Sequence, residues 1–341
     1  MEKVRLGKTG IMVTKCSFGA LPVQRVPMEE AVCLLRAAYE GGINYFDTAN
    51  MYTDSEEKIG NALSDVREKI IISTKTGARD EKTAAEHVEL SLRRMKTEYI
   101  DIVQLHNMSS LKETEGAYTA LVKYKEKGYI RHIGVTAHKR TAALDALDSG
   151  LFETLQYPFS YLSNESEKEL VRRCERDDVG FIAMKAIAGG LLKNAAACRI
   201  FFNEFPNAVP IWGIQRMEEL HEWLALENNP PEMTDELRTV IEKDRAELSG
   251  SFCRGCGYCL PCPAGIEIQN AARMNMLLRR SPYRQLLTAK TWEMMHRIDN
   301  CTGCGNCRAR CPYGLDTPAV LKFMLKDYEE FYEMHKGDTE I

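Results

Sequence analysis

The fold of this 341-residue chain is indicated first by the stretch Ile100-Asp101-Ile102-Val103-Gln104-Leu105-His106 and by the residues that follow it. The stretch is short, apolar and rich in β-branched side chains, which predicts a buried strand. Residues 113–127 then carry apolar side chains at steps of three and four with charges between them, the pattern of an amphipathic helix. A second β-branched run at residues 130–135 completes a strand, helix and strand unit, and such units form parallel sheets.

The same unit repeats along most of the chain. Strands are predicted at residues 13–18, 43–47, 70–75, 100–106, 130–135, 152–157, 179–185 and 208–213. Helical patterns lie between them, for example at residues 29–40, 84–95, 113–127 and 166–176. Eight such units predict a closed (β/α)8 TIM barrel, with a doubly wound open sheet as the alternative. Leu6 and Val13 flank Gly7-Lys8-Thr9-Gly10, which predicts a hairpin that covers the barrel bottom.

The repeating pattern stops at Asn228-Asn229-Pro230-Pro231, a composition typical of a linker. We therefore expect two domains, a barrel at residues 1–227 and a smaller domain at residues 228–341. Further helices are predicted at residues 232–248, 268–280, 283–297 and 318–332. The second part is therefore expected to be a small, mainly helical domain.

Eight of the twelve cysteines form two tight motifs in this second part. They are Cys253, Cys256, Cys259 and Cys262, followed by Cys301, Cys304, Cys307 and Cys311. Three thiolates at steps of three residues can hold one face of a [4Fe–4S] cube, and the fourth cysteine, which precedes a proline, points to a second cube, as in bacterial two-cluster ferredoxins. The predicted ligands of cluster A are Cys253, Cys256, Cys259 and Cys311. Those of cluster B are Cys301, Cys304, Cys307 and Cys262.

Two other interpretations of these cysteines stay open. Structural zinc usually uses separated Cys-x2-Cys pairs, so a third cysteine at the same step would be left over in each motif. A disulfide framework is the second alternative. The first motif also has two residues instead of three before Cys262. If Cys262 did not reach cluster B, that cluster would need another ligand.

Composition and charge limit the expected partners and the expected location of the protein. The chain has 45 basic and 49 acidic residues, a net charge of −4, without a basic run, which disfavours nucleic acid and anionic membranes as partners. No stretch approaches the roughly 20 apolar residues of a membrane span, and no apolar leader is present at the start. Because thiols and iron–sulfur clusters both favour a reducing interior, we expect a cytoplasmic protein.

Four ionisable side chains are predicted at barrel strand ends, which is where (β/α)8 barrels carry their chemistry. Asp47 ends one strand and Tyr52 follows five residues later, while Lys75 and His106 end the next two strands. Over roughly residues 1–225 the chain resembles the aldo/keto reductases, and its tail is similar to the ferredoxin-type extension of one branch of that superfamily. The resemblance is carried by Phe46-Asp47-Thr48-Ala49-Asn50-Met51-Tyr52, Ser73-Thr74-Lys75 and Gln104-Leu105-His106-Asn107.

The resemblance implies carbonyl reduction or alcohol oxidation, and the residue types fit that chemistry. A phenol with an ordinary pKa of about 10 needs a nearby cation to act as an acid, and Lys75 would be that cation for Tyr52. Asp47 would pair with Lys75 and offset the cost of burying its ammonium group. His106 would bind the substrate carbonyl oxygen. The alternative is a structural ion pair beside a core histidine.

The resemblance also implies a nicotinamide nucleotide, either NADP or NAD. Gln156 on the sixth strand fits the family pattern, Thr136 replaces a serine, Ala137 lacks an amide, and Met184 stands where an aromatic ring is expected. The single guanidinium of Arg216 leaves the choice between NADP and NAD open. The residues expected to contact the nucleotide are Thr136, Gln156, Met184, Lys185, Gln215 and Arg216.

The sequence therefore favours an oxidoreductase that acts on a small-molecule carbonyl or alcohol. Hydride transfer moves two electrons and a cluster moves one, so exchange between them would need a converter such as a flavin, for which the sequence has no fingerprint. The alternative is an electron-transfer protein whose barrel docks a redox partner. The complete set of Asp47, Tyr52, Lys75 and His106 argues against it. One further histidine, His138, lies beside the end of the fifth strand.

Overall fold

The computed structural model describes residues 1–248, 252–255, 257–280, 283–311 and 313–336. Its strands are β1 (Lys3–Arg5), β2 (Met12–Thr14), β3 (Ser17–Gly19), β4 (Tyr45–Asp47), β5 (Ile71–Thr76), β6 (Ile100–Leu105), β7 (Ile130–Thr136), β8 (Thr154–Pro158), β9 (Gly180–Met184) and β10 (Ala208–Gly213). Strands β3 to β10 are parallel and close into a barrel in chain order, with β10 paired to β3. The predicted (β/α)8 barrel is confirmed, and the open sheet is wrong because the two end strands pair.

Within residues 1–248, a helix follows each barrel strand and returns the chain to the start of the next. These helices are α1 (Met28–Glu40), α2 (Ser55–Leu63), α3 (Glu81–Arg94), α4 (Leu111–Glu126), α5 (Arg140–Ser149), α6 (Glu165–Arg176), α7 (Ala195–Phe201) and α8 (Met217–Asn228). Polar side chains start several of them by accepting a free backbone N–H, as Asp80 does for α3, Ser110 for α4 and Asn164 for α6. The carboxyl ends of all the barrel strands therefore lie at one rim.

The N-terminal hairpin packs under the barrel. β1 and β2 pair antiparallel, and Leu6 and Val13 are fully buried in one apolar cluster with barrel side chains. Gly7 has a φ of +54°, and a Cβ atom there would lie 2.2 Å from Gly180 N, so only glycine fits. The hairpin prediction is confirmed. The first barrel strand, however, starts at Ser17 instead of residue 13, because Val13 pairs with β1.

Strand register brings polar residues together near the rim. Asp47 of β4 lies opposite Ser73 of β5, and Lys75 of β5 lies opposite Gln104 of β6. Asp47, Lys75 and Gln104 are 2%, 1% and 0% exposed. Buried charges need partners, so this register determines which groups can neutralise each other.

The chain divides into two compact units, Met1–Ala186 with Asn194–Lys243, and Ile187–Lys193 with Asp244–Ile341. The remaining helices are α9 (Asp235–Glu247), α10 (Ile268–Ala271), α11 (Met274–Arg280), α12 (Ala289–His296), α13 (Asn306–Ala309) and α14 (Thr317–Met334). The structural division therefore differs from the expected boundary after residue 227. It lies inside α9, and it assigns the segment Ile187–Lys193 to the second unit.

Two predicted helices of the second unit are shorter in the structure than the sequence predicts. The expected helix at residues 268–280 is broken, because the backbone tightens after α10 and Arg273 N bonds to Asn270 O, three residues back. In the expected helix at residues 283–297 only α12 is α-helical, and it starts where Thr288 accepts from Thr291 N. α14 begins with a proline in its first turn, as predicted. Among the described residues, no helix is long and apolar enough to cross a bilayer.

Candidate active site and candidate cluster sites

Four side chains meet at the rim formed by the carboxyl ends of the barrel strands. Asp47 is the last residue of β4, Lys75 lies one residue before the end of β5, and His106 directly follows β6. Tyr52 lies between β4 and α2, where its N–H donates to Ala49 O at 2.9 Å. The structure thus brings together the four residues that the sequence predicts for catalysis.

A buried ion pair forms the centre of this group. Lys75 Nζ lies 2.5 Å from Asp47 Oδ2 and 2.5 Å from Thr48 O. Burial lowers the pKa of Lys75, and the attraction of Asp47 opposes that effect. Lys75 is therefore a cation that depends on Asp47 for its charge and for its position.

Tyr52 and His106 lie against this pair. Lys75 Nζ is 5.4 Å from the centre of the Tyr52 ring, within the range of a cation–π contact. The rings of Tyr52 and His106 meet edge to face with their centres 5.9 Å apart. Burial, and then the charge of Lys75, lowers the pKa of His106 well below its ordinary 6.5. His106 is therefore neutral at pH 7, and a neutral imidazole can donate a hydrogen bond to a substrate oxygen.

Asp47 is also held by three neutral side chains. Its Oδ1 accepts from Ser73 Oγ at 2.6 Å and from Gln104 Nε2 at 3.2 Å, and its Oδ2 accepts from Gln156 Nε2 at 3.4 Å. Gln104 Nε2 donates as well to Gln156 Oε1 at 2.8 Å. The sequence analysis missed the roles of Ser73 and Gln104. The available signal was a polar side chain two residues before His106 in an otherwise apolar strand.

Some of the residues predicted to hold a nicotinamide ring already have partners. Thr136 Oγ1 accepts from Asn107 N at 2.7 Å. The amide of Gln156 is bonded to the carboxylate and the glutamine described above, inside the barrel. Met184 ends β9 and Lys185 follows it. Thr136, Met184 and Lys185 therefore lie at the strand ends where a ring could bind, while the Gln156 amide is engaged below them.

The residue predicted to contact a nucleotide phosphate is paired within the chain. The guanidinium of Arg216, just before α8, donates to Glu219 Oε1 at 2.7 and 3.0 Å. Glu219 Oε2 accepts from Gln215 N at 2.9 Å. Because the Arg216 side chain is 67% exposed, this ion pair is worth little, and a phosphate could replace the carboxylate.

His138 follows β7 and is buried at the same rim. Burial, and then the charge of Lys185, lowers its pKa to about 3. His138 is in turn one of the groups that lower the pKa of His106. His138, which the sequence places beside the end of the fifth strand, thus lies close enough to the predicted catalytic residue His106 to affect its pKa.

Left-handed backbone conformations occur next to three of the residues predicted to act at the rim. Thr53, Asn107 and Lys185 have φ angles of +39°, +53° and +58°. They directly follow Tyr52, His106 and Met184 in the chain. Such angles are costly outside glycine and concentrate at functional sites, which supports a functional rim.

The cysteines of the two motifs border two cavities in the second unit. One is bordered by Cys259, Cys262, Cys301, Cys304 and Cys307. The other is bordered by Cys253, Cys259 and Cys311. Each cavity has an empty volume of about 390 Å³ including its open mouth. The structure brings Cys262 to the second motif and Cys311 to the first, which is the crossed arrangement that the spacing predicts. Cys256 lies outside the described residues.

These cavities fit clusters in their donor chemistry. The thiolates of a [4Fe–4S] cube surround it, so its ligands border a space instead of meeting at one point. In the part of the chain that the structure describes, no three His, Cys, Asp or Glu residues are placed to hold a single metal ion. The two-residue spacing before Cys262 also does not keep it from the cavity of Cys301, Cys304 and Cys307.

A closed parallel barrel with Asp47, Tyr52, Lys75 and His106 at its rim, joined to a unit with cysteine-lined cavities, defines a barrel oxidoreductase with an iron–sulfur extension. Comparison with protein families agrees with this class. Residues 15–209 match the aldo/keto reductase family, and residues 252–316 match a 4Fe-4S dicluster domain. The first match covers more than half of the chain, so the chain belongs to the aldo/keto reductase family. The predicted family and its C-terminal dicluster domain are confirmed.

Several known proteins are similar over the barrel. L-Galactose dehydrogenase of Arabidopsis thaliana is 32% identical, and the match covers 56% of this chain and 67% of that protein. The aldo-keto reductase AFTS1 of Alternaria alternata is 28% identical, with 55% and 65% covered. The chain thus spans about two thirds of the length of these relatives.

Solved structures share the barrel fold. A putative aldo-keto reductase from Pseudomonas aeruginosa is 26% identical with a TM-score of 0.60, and the match covers 66% of this chain and 94% of that one. An aldo-keto reductase from Bacillus halodurans has a TM-score of 0.64 at 22% identity, with 71% and 96% covered.

Proposed function

We propose that the barrel reduces a carbonyl group of a small molecule, or oxidises the corresponding alcohol, with Tyr52 as the proton donor. The observation that best supports this is the position of Lys75, whose Nζ lies 2.5 Å from Asp47 Oδ2 and 5.4 Å from the centre of the Tyr52 ring. A cation at this position favours the ionised form of a phenol. Tyr52 can therefore release its proton without leaving an unpaired charge.

In the proposed reduction, the substrate oxygen binds between Tyr52 and His106. As hydride adds to the carbonyl carbon, the electron pair of the C=O bond moves to oxygen, and Tyr52 gives that oxygen its proton. His106 donates a hydrogen bond to the same oxygen while its charge develops. The phenolate left behind stays beside Lys75 and regains a proton from water.

The proposed hydride source is NADPH or NADH, which supplies two electrons and a hydrogen nucleus when bound. Thr136, Met184 and Lys185 would border its ring, because they lie at the ends of β7 and β9, on either side of β8, at the same rim. Gln215 and Arg216 would face its phosphates once Glu219 releases them. One relative is named a dehydrogenase and another a reductase, which supports activity in either direction.

The proposed role of the dicluster domain is electron transfer, one electron per cluster, with a redox partner protein. The eight ligands are Cys253, Cys256, Cys259, Cys262, Cys301, Cys304, Cys307 and Cys311. Exchange of electrons between the clusters and the barrel requires two single-electron steps for each carbonyl reduced. A flavin or a radical form of the substrate would therefore have to connect the one-electron clusters to this two-electron reaction. Clusters of this kind and free thiols persist in a reducing compartment, which supports a cytoplasmic location.

The test is the Tyr52→Phe variant, assayed without oxygen on a panel of small aldehydes and ketones with NADPH and with NADH. Loss of a general acid should lower turnover by roughly 10² to 10⁴-fold, while iron content and nucleotide affinity stay unchanged. Tyr118→Phe is the matched control, since it also loses one hydroxyl, which bonds to Leu151 O away from the rim. Near-normal turnover in Tyr52→Phe would contradict the assignment. Product formed from reduced clusters without a nicotinamide would support electron exchange between the clusters and the barrel.

A further inference from the structure

We propose that the exposed side of cluster B is the docking site for an acidic protein that carries one electron at a time. The inference rests on the proposed electron-transfer role of the dicluster domain, and it names the surface and the kind of partner. Cys304 is exposed, whereas Cys253, Cys259 and Cys307 are buried. Electron transfer between proteins weakens steeply with distance, so Cys304, the exposed one among the seven predicted ligands that the structure describes, marks a place where a partner can approach.

Three basic side chains lie around this opening. Arg308 directly follows Cys307, and Arg310 Nη1 reaches Leu260 O at 3.5 Å, next to the first-motif residues that border the same cavity. Lys322 lies four residues after Pro318, which borders the cavity, and therefore on the same face of α14. All three side chains are exposed.

Acidic side chains do not balance this group. Asp316, 3.7 Å from Arg308, is the carboxylate paired with it among the described residues, and both side chains are more than half exposed. Glu267, between two residues that border the cavity, is a second exposed carboxylate, and its Oε2 accepts from Asn270 Nδ2. Three cations against two carboxylates leave an excess of positive charge, and we call the three cations the basic rim (Arg308, Arg310, Lys322). Its exposed charges are available to a partner because a surface ion pair holds its members weakly.

The side-chain charge of the segment that contains the cysteines also favours an acidic partner. Residues 252–316 hold nine basic and four acidic residues, a side-chain charge of +5, in a chain whose net charge is −4. Two [4Fe–4S] centres with their thiolates are anions that offset most of this charge, so a partner meets positive charge mainly at the exposed cations of the basic rim. A local field of one sign speeds the approach of a partner of opposite sign and selects against others. An acidic carrier of single electrons, such as a flavodoxin, matches both the charge and the one-electron chemistry. The carrier loses one electron, the cluster gains it, and no bond in the chain forms or breaks.

The first test uses small reductants of opposite charge on the full, cluster-loaded protein. Arg308→Glu/Arg310→Glu reverses two charges of the basic rim. Arg284→Glu/Lys290→Glu is the matched control, because it reverses two exposed charges of the same unit in a segment, residues 283–296, none of whose residues borders either cavity. Cluster bleaching is followed by stopped flow with anionic dithionite and with the cationic methyl viologen radical, and the cluster potentials are measured separately.

We expect the rim variant to react about tenfold more slowly with dithionite and faster with the viologen radical, with unchanged potentials. Structural damage would move both rates in the same direction, so the ratio of the two isolates the charge at the opening. The control variant should change the ratio less than about twofold. An equal ratio in the rim variant and in the wild type would overturn the proposal.

The second test uses an acidic flavodoxin as the electron donor. Its rate should fall as salt rises, because the screening length shrinks from roughly 30 Å at 0.01 M to about 3 Å at 1 M. The rim variant should be slow at low salt and should react faster as salt rises, because salt screens the repulsion between its reversed charges and the acidic donor. A rim variant as fast and as salt-sensitive as the wild type would overturn the proposal. So would equally tight binding of the wild type to anionic lipid vesicles or to DNA, because the rim would then be a general anion surface. Neither test uses carbonyl turnover, so a barrel without the proposed activity does not affect the outcome.

Discussion

The barrel and the C-terminal unit hold their sites in opposite ways. In the barrel, Asp47, Lys75 and Gln104 are positioned by strand register and by hydrogen bonds to one another, within a closed sheet. In the C-terminal unit, the ligands Cys253, Cys259 and Cys307 belong to the buried core itself. Two cavities lie within that core, where side chains would otherwise pack.

This difference determines what each unit needs in order to fold. The barrel closes its hydrogen bonds and buries its charges without help from a ligand, so the geometry of its candidate site forms with the fold itself. The C-terminal unit leaves the space between its ligands to be filled, and a group that binds the folded state adds its binding free energy to stability. The stability of the barrel should therefore change when its buried charges change, whereas the stability of the C-terminal unit should fall when iron is lost.

The largest expected effect is that of iron removal. The loaded protein should contain about eight iron and eight sulfide per chain. Chelation without oxygen should abolish the hydrogen-exchange protection of α14 while β5 and β6 keep theirs, because only the C-terminal unit loses its centre. Fluorescence gives a second measurement, since Trp212 and Trp223 stack in the barrel unit and Trp292 lies in the other. If α14 kept its full protection after complete loss of iron, the C-terminal unit would not depend on bound clusters for its folding, and the two units would not differ in this respect.

A smaller effect is expected in the barrel when the pH falls. The pKa of His138 is about 3 in the folded protein, against about 6.5 in an unfolded chain. Between these values the unfolded chain binds a proton that the folded protein excludes, so the free energy of unfolding decreases as the pH falls. For one proton the slope is at most about 1.4 kcal/mol per pH unit.

Urea unfolding at pH 7 and pH 5 measures this slope. A Trp292→Phe background restricts the fluorescence to the barrel tryptophans. His138→Gln should reduce the difference between the two pH values, whereas substitution of the exposed His221 by Gln should leave it unchanged. An equal pH dependence in His138→Gln and in its parent would show that the buried histidine does not couple the barrel to pH.

The smallest expected effect concerns the polar network below the active site. Gln104→Leu removes the amide that bonds both Asp47 Oδ1 and Gln156 Oε1. A hydrogen bond to a charged group contributes about 1.5 to 3 kcal/mol, and three other donors remain on Asp47, so we expect a loss of about three- to tenfold in kcat with an unchanged KM.

Gln104→Glu provides the discriminating comparison. A second carboxylate beside Asp47 repels it, so this variant should be slower than Gln104→Leu at pH 8 and should recover at lower pH, where the new carboxyl takes up a proton. Equal kcat values in the wild type and in both variants would mean that register alone positions Asp47.

Most of the fold was predictable because its signals are local and periodic. Most barrel strands are short apolar runs, and because the strands are parallel, their carboxyl ends put Asp47, Lys75 and His106 at one rim. The errors lie where distant contacts decide, as at Val13, which pairs with β1 instead of joining the barrel. The network around Gln104 was missed because one polar residue in a strand does not reveal its partners across the sheet.

By itself, the sequence determined the barrel, the order of its predicted catalytic residues and the two cysteine motifs, since each depends on residue types at short, regular spacing. Only the tertiary structure decided the pairings that the sequence did not predict: Glu219 with Arg216, and Gln104 with Asp47 and Gln156. Such pairings join residues through the register of neighbouring strands and the course of loops. Their energies come from burial and distance, which no single stretch of sequence contains.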